Sequence, residues 1–168
     1  MTRRAAPAGL RPYLAADAAT LAEIFRSSIM ELTGDDYSEA QQAAWIAAAD
    51  DEDAFGARLG AELTLVATID GEPVGFAALR GRDVVDMIYV HPAAAGNGIG
   101  AQLIDAIEKL AAARGAAALT ADASDSALGF FERRGYAPQQ RNSVVLGDEW
   151  LANTTVLKTL KTPVRSVP

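Results

Sequence analysis

The sequence of 168 residues contains no cysteine and a single histidine, His91. The missing cysteines exclude a disulfide framework, thiolate metal ligands and a cysteine nucleophile. One histidine excludes a histidine-rich metal centre, so no metal is expected. No apolar run reaches the ~18 residues of a membrane span, and the segment up to Asp17 lacks the apolar core of a signal peptide. We therefore expect a cytoplasmic protein that does not span a membrane.

Positive charge is scarce, because 15 lysines and arginines face 22 aspartates and glutamates, for a formal net charge of -7. This balance opposes nucleic-acid binding and mildly favours a cationic small partner. The densest acidic stretch, DDED at residues 50–53, is expected to open a helix, where carboxylates complement the helix dipole. Half of the residues are hydrophobic, which is enough to form a core, and 168 residues fit one domain. We therefore expect a single domain over 1–168, with loose tails at 1–8 and 161–168.

Hydrophobic spacing predicts strands and helices along the whole chain. Ser38 and Gln41 match a capping box, which marks a helix start. The predicted order is a strand at 10–14, helices at 17–32, 38–49 and 53–59, three strands within 62–90, a helix up to Gly115, a strand at 116–122, a helix at 124–135 and a hairpin at 143–160. Because the three strands within 62–90 follow one another closely, they indicate an antiparallel meander. The sequence therefore predicts an α+β domain with a mixed sheet and helices on both faces.

Three glycines alternate at Gly96, Gly98 and Gly100, directly before a pattern typical of an amphipathic helix. Glycines this close together indicate either a sharp backbone turn or a ligand that lies against the backbone. Because the first N–H groups of a helix lack partners, such a turn can bind a phosphate or pyrophosphate. A glycine-rich turn without a ligand is the alternative.

A dinucleotide site is a further alternative. Gly96, Gly98 and Ala101 match the pattern G-x-G-x-x-[GA], and Asp122 follows at about the distance of a ribose-binding acid. In a dinucleotide-binding fold the glycines directly follow a strand, whereas the residues HPAAA lie between strand and glycines here. Too little chain also remains after the glycines to complete a doubly wound sheet. An oxidoreductase that binds NAD(H) is therefore less favoured.

The stretch YVHPAAAGNGIGAQLI at residues 89–104, followed by ALGFFERRGY at residues 127–136, resembles the GNAT superfamily of N-acetyltransferases. The resemblance covers nearly the whole chain and extends to a bacterial subgroup with poorly defined substrates. It implies the GNAT fold, a central, mixed and mostly antiparallel sheet of about seven strands with helices on both faces. It also implies acetyl-CoA as co-substrate and direct transfer of the acetyl group to an amine of a small molecule.

The resemblance further implies which residues hold acetyl-CoA. The strand before the turn would pair with the pantetheine arm, and the turn would hold the pyrophosphate. Either Arg133 or Arg134 would meet the 3′-phosphate, with a solvated helix face as the alternative. The implied cofactor-binding residues are Ile88, Tyr89, Val90, Ala95, Gly96, Asn97, Gly98, Ile99, Gly100, Ser124, Phe131 and Arg134.

The chain departs from the family pattern at three of these positions. Ala95 replaces a glutamine or arginine, so pyrophosphate binding would depend on backbone N–H groups. Phe131 stands where many members have the tyrosine that protonates the leaving thiolate, and a phenyl ring donates no proton. Ser124 replaces the usual asparagine. These departures leave open an alternative function, a non-catalytic CoA-binding or sensor module on the same fold.

Three residues are candidates for catalysis: Asp86, Tyr89 and Val90. Since the attacking amine must be neutral, a carboxylate base would help, and Asp86 is either that base or a surface residue. If the strand alternates, Asp86, Ile88 and Val90 share one face, while Met87 and Tyr89 share the other. The resemblance implies that the Val90 N–H stabilises the oxyanion. Tyr89 is either a proton donor or a core residue.

The acceptor site is expected between the first helices and the final hairpin. Its candidate residues are Tyr37, Trp45, Trp150 and Asn153, with core packing as the alternative for Trp45. His91 is expected to cap a turn or to lie at the surface, and Asp122 to end a strand and cap the next helix. Homodimers are common in the family, so a homodimer is one expectation, although no residue marks an interface.

Overall fold

The computed structural model describes residues 7–161. The predicted loose tails lie mostly outside these residues. Within them, the side chain of Gln102 holds the backbone of Ala8. The Ala8 N–H donates to Gln102 Oε1 at 3.1 Å, and Gln102 Nε2 donates to the Ala8 carbonyl at 3.3 Å. The chain entering the first strand is therefore attached to the helix that follows the glycine turn.

The strands and helices follow one another in the predicted order. In residues 7–161 they are β1 (Gly9–Pro12), α1 (Ala18–Leu32), α2 (Glu39–Ile46), α3 (Glu52–Ala61), β2 (Leu63–Ile69), β3 (Glu72–Arg80), β4 (Val84–Val90), α4 (Ile99–Ala113), β5 (Ala118–Ser124), α5 (Leu128–Arg133), β6 (Ala137–Leu146) and β7 (Glu149–Thr159). Short 3-10 helices occupy Ala15–Asp17, Ala47–Ala49 and Pro92–Ala94. In this part of the chain, no helix combines the length and the apolar character needed to cross a membrane.

The helix starts follow from local hydrogen bonds that the sequence indicated. Ser38 Oγ accepts from the Gln41 N–H at 3.1 Å, and Gln41 Oε1 accepts from the Ser38 N–H at 2.9 Å, which confirms the capping box. Asp51 Oδ1 accepts from the Ala54 N–H at 3.0 Å, and two more acids occupy the first turn of α3. The DDED stretch therefore opens a helix, as predicted.

The seven strands form one sheet in the order β1-β2-β3-β4-β5-β7-β6. Only β4 and β5 run parallel, and they pair only at Val84 with Thr120 and at Val85 with Ala121. Beyond that point the two strands separate. A mixed, mostly antiparallel seven-stranded sheet confirms the predicted fold class, and it rules out the parallel doubly wound sheet of a dinucleotide-binding domain.

The sheet buries a separate hydrophobic core on each face. One core joins α4 and α5 to the sheet through residues such as Leu103, Ile107 and Phe131. The other joins α1 and α3 to the opposite face through residues such as Leu21 and Leu59. Helices therefore cover both faces, as predicted. The edge strand β6 begins six residues earlier than predicted, because its polar start is exposed and shows no hydrophobic alternation.

A β-bulge in β4 overturns the predicted alternation around Asp86. Leu79 pairs with Val85 and Ala78 pairs with Met87, so Asp86 has no partner on β3. Val85 lies in the α4 core and Met87 in the α1 core, although residues two positions apart in a regular strand face the same side. Asp86 contacts Arg58 on α3, so it lies on the face of Met87 rather than on the face of Ile88 and Val90. The extra residue of a bulge reverses the side-chain direction, which strict alternation does not foresee.

Candidate active site

The separation of β4 from β5 opens a pocket of about 300 Å³ in the sheet. The end of α1, the loop before α2 and the β6–β7 hairpin close it on the α1 side of the sheet. A pocket of this size suits a small molecule or part of one. Its lining residues include Thr33, Tyr37, Trp45, Asp86, Ile88, Tyr89, Asp122, Ser124, Phe131, Leu151 and Asn153.

The backbone of β4 presents polar groups to this gap. His91 N–H donates to the Val74 carbonyl at 2.8 Å, so this opposed pair is hydrogen-bonded. Opposed pairs in an antiparallel ladder alternate, so the next pair, Val90 with Gly75, is not hydrogen-bonded. The Val90 N–H therefore points away from β3 and toward the side where β5 has separated. A strand with free N–H and C=O groups at that position can pair with an extended ligand or stabilise an oxyanion.

The glycine turn lies between β4 and α4. Gly96 and Gly98 have φ angles of 82° and 77°, which residues with a side chain rarely adopt. The first hydrogen bond of α4 runs from the Gln102 N–H to the Gly98 carbonyl at 3.1 Å. The N–H groups before Gln102 are the ones a helix leaves unpaired, and residues 95–98 are exposed. The turn can therefore bind an anion through its backbone.

Gly100 serves a different purpose from the other two glycines. A Cβ at Gly100 would lie 3.3 Å from the ring of Phe130. Its small size therefore lets α4 approach α5 closely. Ile99 is buried in the core, so only its backbone could meet a cofactor, whereas Ala95 and Asn97 are exposed beside the turn.

Three further cofactor candidates lie on or near α5. Ser124 lines the pocket, and its Oγ accepts from the Ala127 N–H at 3.1 Å. Phe131 lines the pocket with a ring that is 2% exposed and packs edge-on against Tyr136 at 5.1 Å. Arg134 lies outside the pocket lining, with its guanidinium 3.7 Å from Asp105 and over the ring of Phe130. The structure therefore brings Ser124 and Phe131 to the pocket and leaves Arg134 on the α4–α5 surface.

Asp86 lies in the pocket wall but is tightly ion-paired. Arg58 donates from Nε to Oδ2 at 2.9 Å and from Nη2 to Oδ1 at 2.8 Å, and Arg80 Nη1 lies 3.4 Å from Oδ1. Burial alone would raise the pKa of Asp86, but hydrogen bonds from Arg58 and Glu62 and the two arginine charges lower its pKa overall. A carboxylate with a lowered pKa is a weak base, so Asp86 by itself is poorly matched to removing a proton from an amine.

Glu62, at the junction of α3 and β2, adjoins Asp86. Burial, followed by the hydrogen bond and charge of Asp86, raises the pKa of Glu62 to about 7. Sequence reasoning missed Glu62 and Arg58 as neighbours of the candidate base. No sequence signal indicated them, because their proximity depends on the bulge that turns Asp86 toward α3.

Tyr89 lies on the α1 side of β4, within an aromatic cluster. Its ring centroid is 4.8 Å from Phe25, 5.7 Å from Phe76 and 6.4 Å from Trp45. Burial raises the pKa of Tyr89, so its hydroxyl stays protonated at neutral pH. Tyr89 packs in the core and also lines the pocket.

The acceptor candidates are only partly brought together. Tyr37 is 5% exposed; its hydroxyl donates to the Ala152 carbonyl at 2.6 Å and accepts from the Asp125 N–H at 2.9 Å. Trp45 packs edge-on against Tyr37, and both line the pocket. Asn153 lines it too. Trp150 is 64% exposed and lies outside the lining.

The structure confirms the predicted capping role of His91 but not that of Asp122. His91 Nδ1 accepts from the Ala93 N–H at 3.1 Å, which confirms its capping role. Asp122 does not cap α5, because Ser124 makes the hydrogen bond that precedes this helix. Asp122 instead lines the pocket, and its Oδ1 accepts from the Thr155 hydroxyl at 2.6 Å. Alternation in β5 could have indicated this, since Ala121 and Ala123 face the core on the other side.

The pocket carries negative charge only. Asp86 and Asp122 are the charged side chains among its lining residues, as far as residues 7–161 are concerned. Arg58 neutralises Asp86, while Asp122 hydrogen-bonds a neutral hydroxyl. Within the same range, no group of three or more acids and histidines is arranged to hold a metal ion.

Comparison with protein families and individual proteins identifies one family. The sequence profile of the "Acetyltransferase (GNAT) domain" matches residues 33–151. The protein called "Uncharacterized N-acetyltransferase YafP" from Escherichia coli K12 is 31% identical over 144 residues, which cover 86% of this chain and 91% of that protein.

Solved structures agree with these matches. The crystal structure of the GCN5-related N-acetyltransferase called "Aminotransferase, Class-II" from Rhodopseudomonas palustris is 58% identical and superposes with a TM-score of 0.92, over 95% of this chain and 99% of that chain. The PaiA N-acetyltransferase of Thermoplasma acidophilum, solved in complex with coenzyme A, is 18% identical with a TM-score of 0.76, over 90% of this chain and 98% of that chain.

Proposed function

The chain belongs to the GNAT acetyltransferase family and is an acetyl-CoA-dependent acyltransferase, and we propose that it acetylates a primary amine of a small molecule by direct attack. The observation that carries the proposal is the 300 Å³ pocket at the separation of β4 and β5. Ile88 and Tyr89 line this pocket, and they directly precede Val90, whose N–H points away from β3. Because the chain has no cysteine, an acetyl-cysteine intermediate is excluded and direct attack is the simpler route.

The proposed cofactor site combines the glycine turn with the strand before it. The unpaired N–H groups at the start of α4 would hold the pyrophosphate in place of the side chain that Ala95 lacks. The backbone of Ile88 and Val90 would pair with the pantetheine arm. The Thermoplasma acidophilum protein with bound coenzyme A supports a cofactor of this kind.

In the proposed reaction the amine nitrogen attacks the carbonyl carbon of the thioester and forms a tetrahedral intermediate, whose collapse breaks the C–S bond and releases the thiolate. The Val90 N–H stabilises the oxyanion of the tetrahedral intermediate. Asp86 accepts the amine proton from its place in the pocket wall. Tyr89 is the available proton donor for the thiolate, since Phe131 replaces the usual tyrosine.

The charge of the pocket supports a cationic amine as acceptor. Asp122 attracts an ammonium group, and no arginine or lysine among the described lining residues would bind a carboxylate. Trp45, Tyr37 and Leu151 provide an aromatic and apolar surface for the rest of the molecule.

We also propose a cytoplasmic location, because acetyl-CoA is an intracellular metabolite. A homodimer remains an expectation of the family resemblance.

A panel of acceptors tests the proposal. Acetyl-CoA consumption is measured with aralkyl amines, diamines and amino acids, after acetyl-CoA has been shown to raise the melting temperature. We expect turnover with amines that lack a carboxylate and at least tenfold lower kcat/KM for the matched amino acids. Turnover confined to peptide or protein amines would contradict a small-molecule acceptor.

A further inference from the structure

A buried carboxyl oxygen next to the pocket has no evident partner. Glu62 Oε2 is inaccessible to solvent and makes no hydrogen bond with any described donor. A buried carboxylate oxygen without a donor is costly, whereas a protonated oxygen can itself donate. The position of Glu62 therefore favours a carboxyl group that carries a proton.

The group that can accept this proton is Asp86. Arg58, one helical turn before Glu62, binds Asp86, and the strand register sets Leu63 opposite Leu79 and Leu79 opposite Val85. Glu62 and Asp86 therefore lie in the same region of the sheet, where each acts on the other as a hydrogen-bond partner. Two carboxyl groups in contact form a hydrogen bond only when one of them is protonated, and they do not readily ionise together. The two side chains therefore form a unit that titrates as a pair.

The neighbouring charges decide where the proton resides. From α3, Arg58 binds both oxygens of Asp86, and from β3, Arg80 approaches Oδ1 at 3.4 Å. Tyr89, further along β4, is the remaining titratable group near the pair and keeps its proton. Because both arginines bind Asp86, the negative charge is held there and the proton on Glu62. This assignment agrees with the opposite shifts in pKa of the two acids.

We propose that Glu62 and Asp86 are a proton-sharing pair, in which Asp86 receives the proton of the acceptor amine and Glu62 stores it. The proposal rests on the proposed acetyl transfer. Asp86 lines the pocket, whereas Glu62 is not among its lining residues. Glu62 is therefore a positioning residue that acts through Asp86, and it compensates for the weak basicity of an ion-paired aspartate.

The acetyl-transfer step conserves atoms, protons and electrons. The amine nitrogen forms a bond to the thioester carbon, and the sulfur leaves with the electron pair of the C–S bond as a thiolate. The ammonium form of the acceptor first loses a proton to solvent, and the neutral amine is the form that attacks. Its nitrogen loses one further proton to an Asp86 oxygen, and the pair then holds that proton on Glu62. The pair must be fully ionised before the step and carries one proton after it. Solvent later removes this proton, and the thiolate gains one.

The first test is the pH dependence of kcat/KM with two acceptor amines of different pKa. A limb of the pH profile whose midpoint moves with the pKa of the amine reports ionisation of the substrate. A limb whose midpoint stays the same with both amines reports ionisation of a group on the enzyme. We expect an enzyme limb near pH 7 in the parent protein. In Glu62→Gln the amide donates to Asp86, so the limb should move down by at least about one pH unit and kcat should fall roughly tenfold or more.

Matched controls separate chemistry from folding. Glu72→Gln removes an exposed acid on β3 and should keep the parental limb and kcat. The KM for acetyl-CoA should stay within about twofold in both variants, since neither touches the glycine turn. An unmoved acid limb in a folded Glu62→Gln protein would overturn the proposal.

The second test needs no acceptor and no variant. Carboxyl carbon NMR of the parent protein should show Glu62 titrating near pH 7, well above the ordinary value of about 4.3 for glutamate. Titration of Glu62 in the ordinary range would refute the pair. An enzyme that shows the raised titration but acetylates no small amine would contradict the proposed acceptor and leave the shared proton established.

Discussion

Individual residues of the glycine stretch do different things although they look alike in the sequence. Gly96 and Gly98 supply left-handed backbone, while Gly100 makes room for Phe130. The sequence pattern grouped all three as a ligand turn. Only the first two need glycine for their backbone conformation, whereas the third needs it because a side chain would meet Phe130.

At the residue scale, Gly98→Ala tests the turn. Gly71 in the β2–β3 turn has φ of 80°, nearly equal to the 77° of Gly98, and neither position has an atom within 4 Å of an added Cβ. Both alanine variants should therefore lose about 1–2 kcal/mol of stability. Only Gly98→Ala should weaken CoA binding, by at least about tenfold, in calorimetric titration. Equal CoA affinities of the two variants would contradict the turn assignment.

Glu62 also makes stability depend on pH. Its pKa rises from 4.5 to about 7 on folding, so the folded state binds this proton more tightly than the unfolded state. The stabilisation is present below pH 4.5 and is lost as pH rises toward 7. Asp86, with its lowered pKa, titrates below this window.

In the Glu62→Gln variant the amide at this position cannot ionise, so the variant should not lose stability in this way as the pH rises. Relative to the parent protein, its unfolding free energy should increase between pH 5 and pH 8 by on the order of 1 kcal/mol, after allowance for solvent screening of a partly exposed group. Urea denaturation at the two pH values measures the difference. Parallel profiles of the two proteins would contradict a raised pKa, and Glu72→Gln serves as the parallel control.

At the scale of elements, one side chain joins three segments that enclose the pocket. The Tyr37 hydroxyl bonds the backbone of β7 and that of the loop between β5 and α5. The hairpin and the α1–α2 loop are distant in sequence, so this contact joins two walls of the pocket that the chain itself does not connect. Tyr37 was predicted as a substrate contact, and its observed hydrogen bonds give it a structural role as well.

Tyr37→Phe removes both hydrogen bonds and leaves two backbone groups without partners. We expect a loss of about 1–3 kcal/mol in unfolding free energy and a higher KM for the acceptor, with the KM for acetyl-CoA unchanged. Denaturation and two-substrate kinetics measure these effects. Trp150→Ala, at an exposed position outside the pocket, should change neither quantity. A raised acceptor KM in Trp150→Ala would support its predicted contact with the substrate.

At the scale of the whole molecule, charge favours one kind of acceptor. The net charge of -7 and the carboxylate of Asp122 in the pocket both attract cations. Raising ionic strength from about 0.05 M to about 0.5 M should raise the KM for a dicationic amine roughly threefold or more, because salt screens this attraction. A weakly basic, neutral amine is the control and should show little change. Equal salt effects on both amines would contradict electrostatic attraction of the acceptor.

The sequence by itself determined the fold class and the element order. Periodicity, the capping box at Ser38 and the acids before α3 act within a few residues, so they are readable without tertiary contacts. The glycine turn and the FFERRGY segment, through their resemblance to the GNAT family, also indicated the acetyl-CoA chemistry. Helix starts and turns depend on local hydrogen bonds and on backbone conformation, and the sequence records both directly.

Only the tertiary structure decided which side chains meet at the pocket. The bulge at Asp86 reverses the direction of one side chain and brings Arg58 and Glu62 to it from another element. Asp122 joins the pocket because β4 and β5 separate, and Trp150 falls outside it because the hairpin turns it toward solvent. These contacts join residues that are distant in the chain. The pKa values of Asp86 and Glu62 depend on burial and on neighbouring charges, which no local sequence pattern encodes.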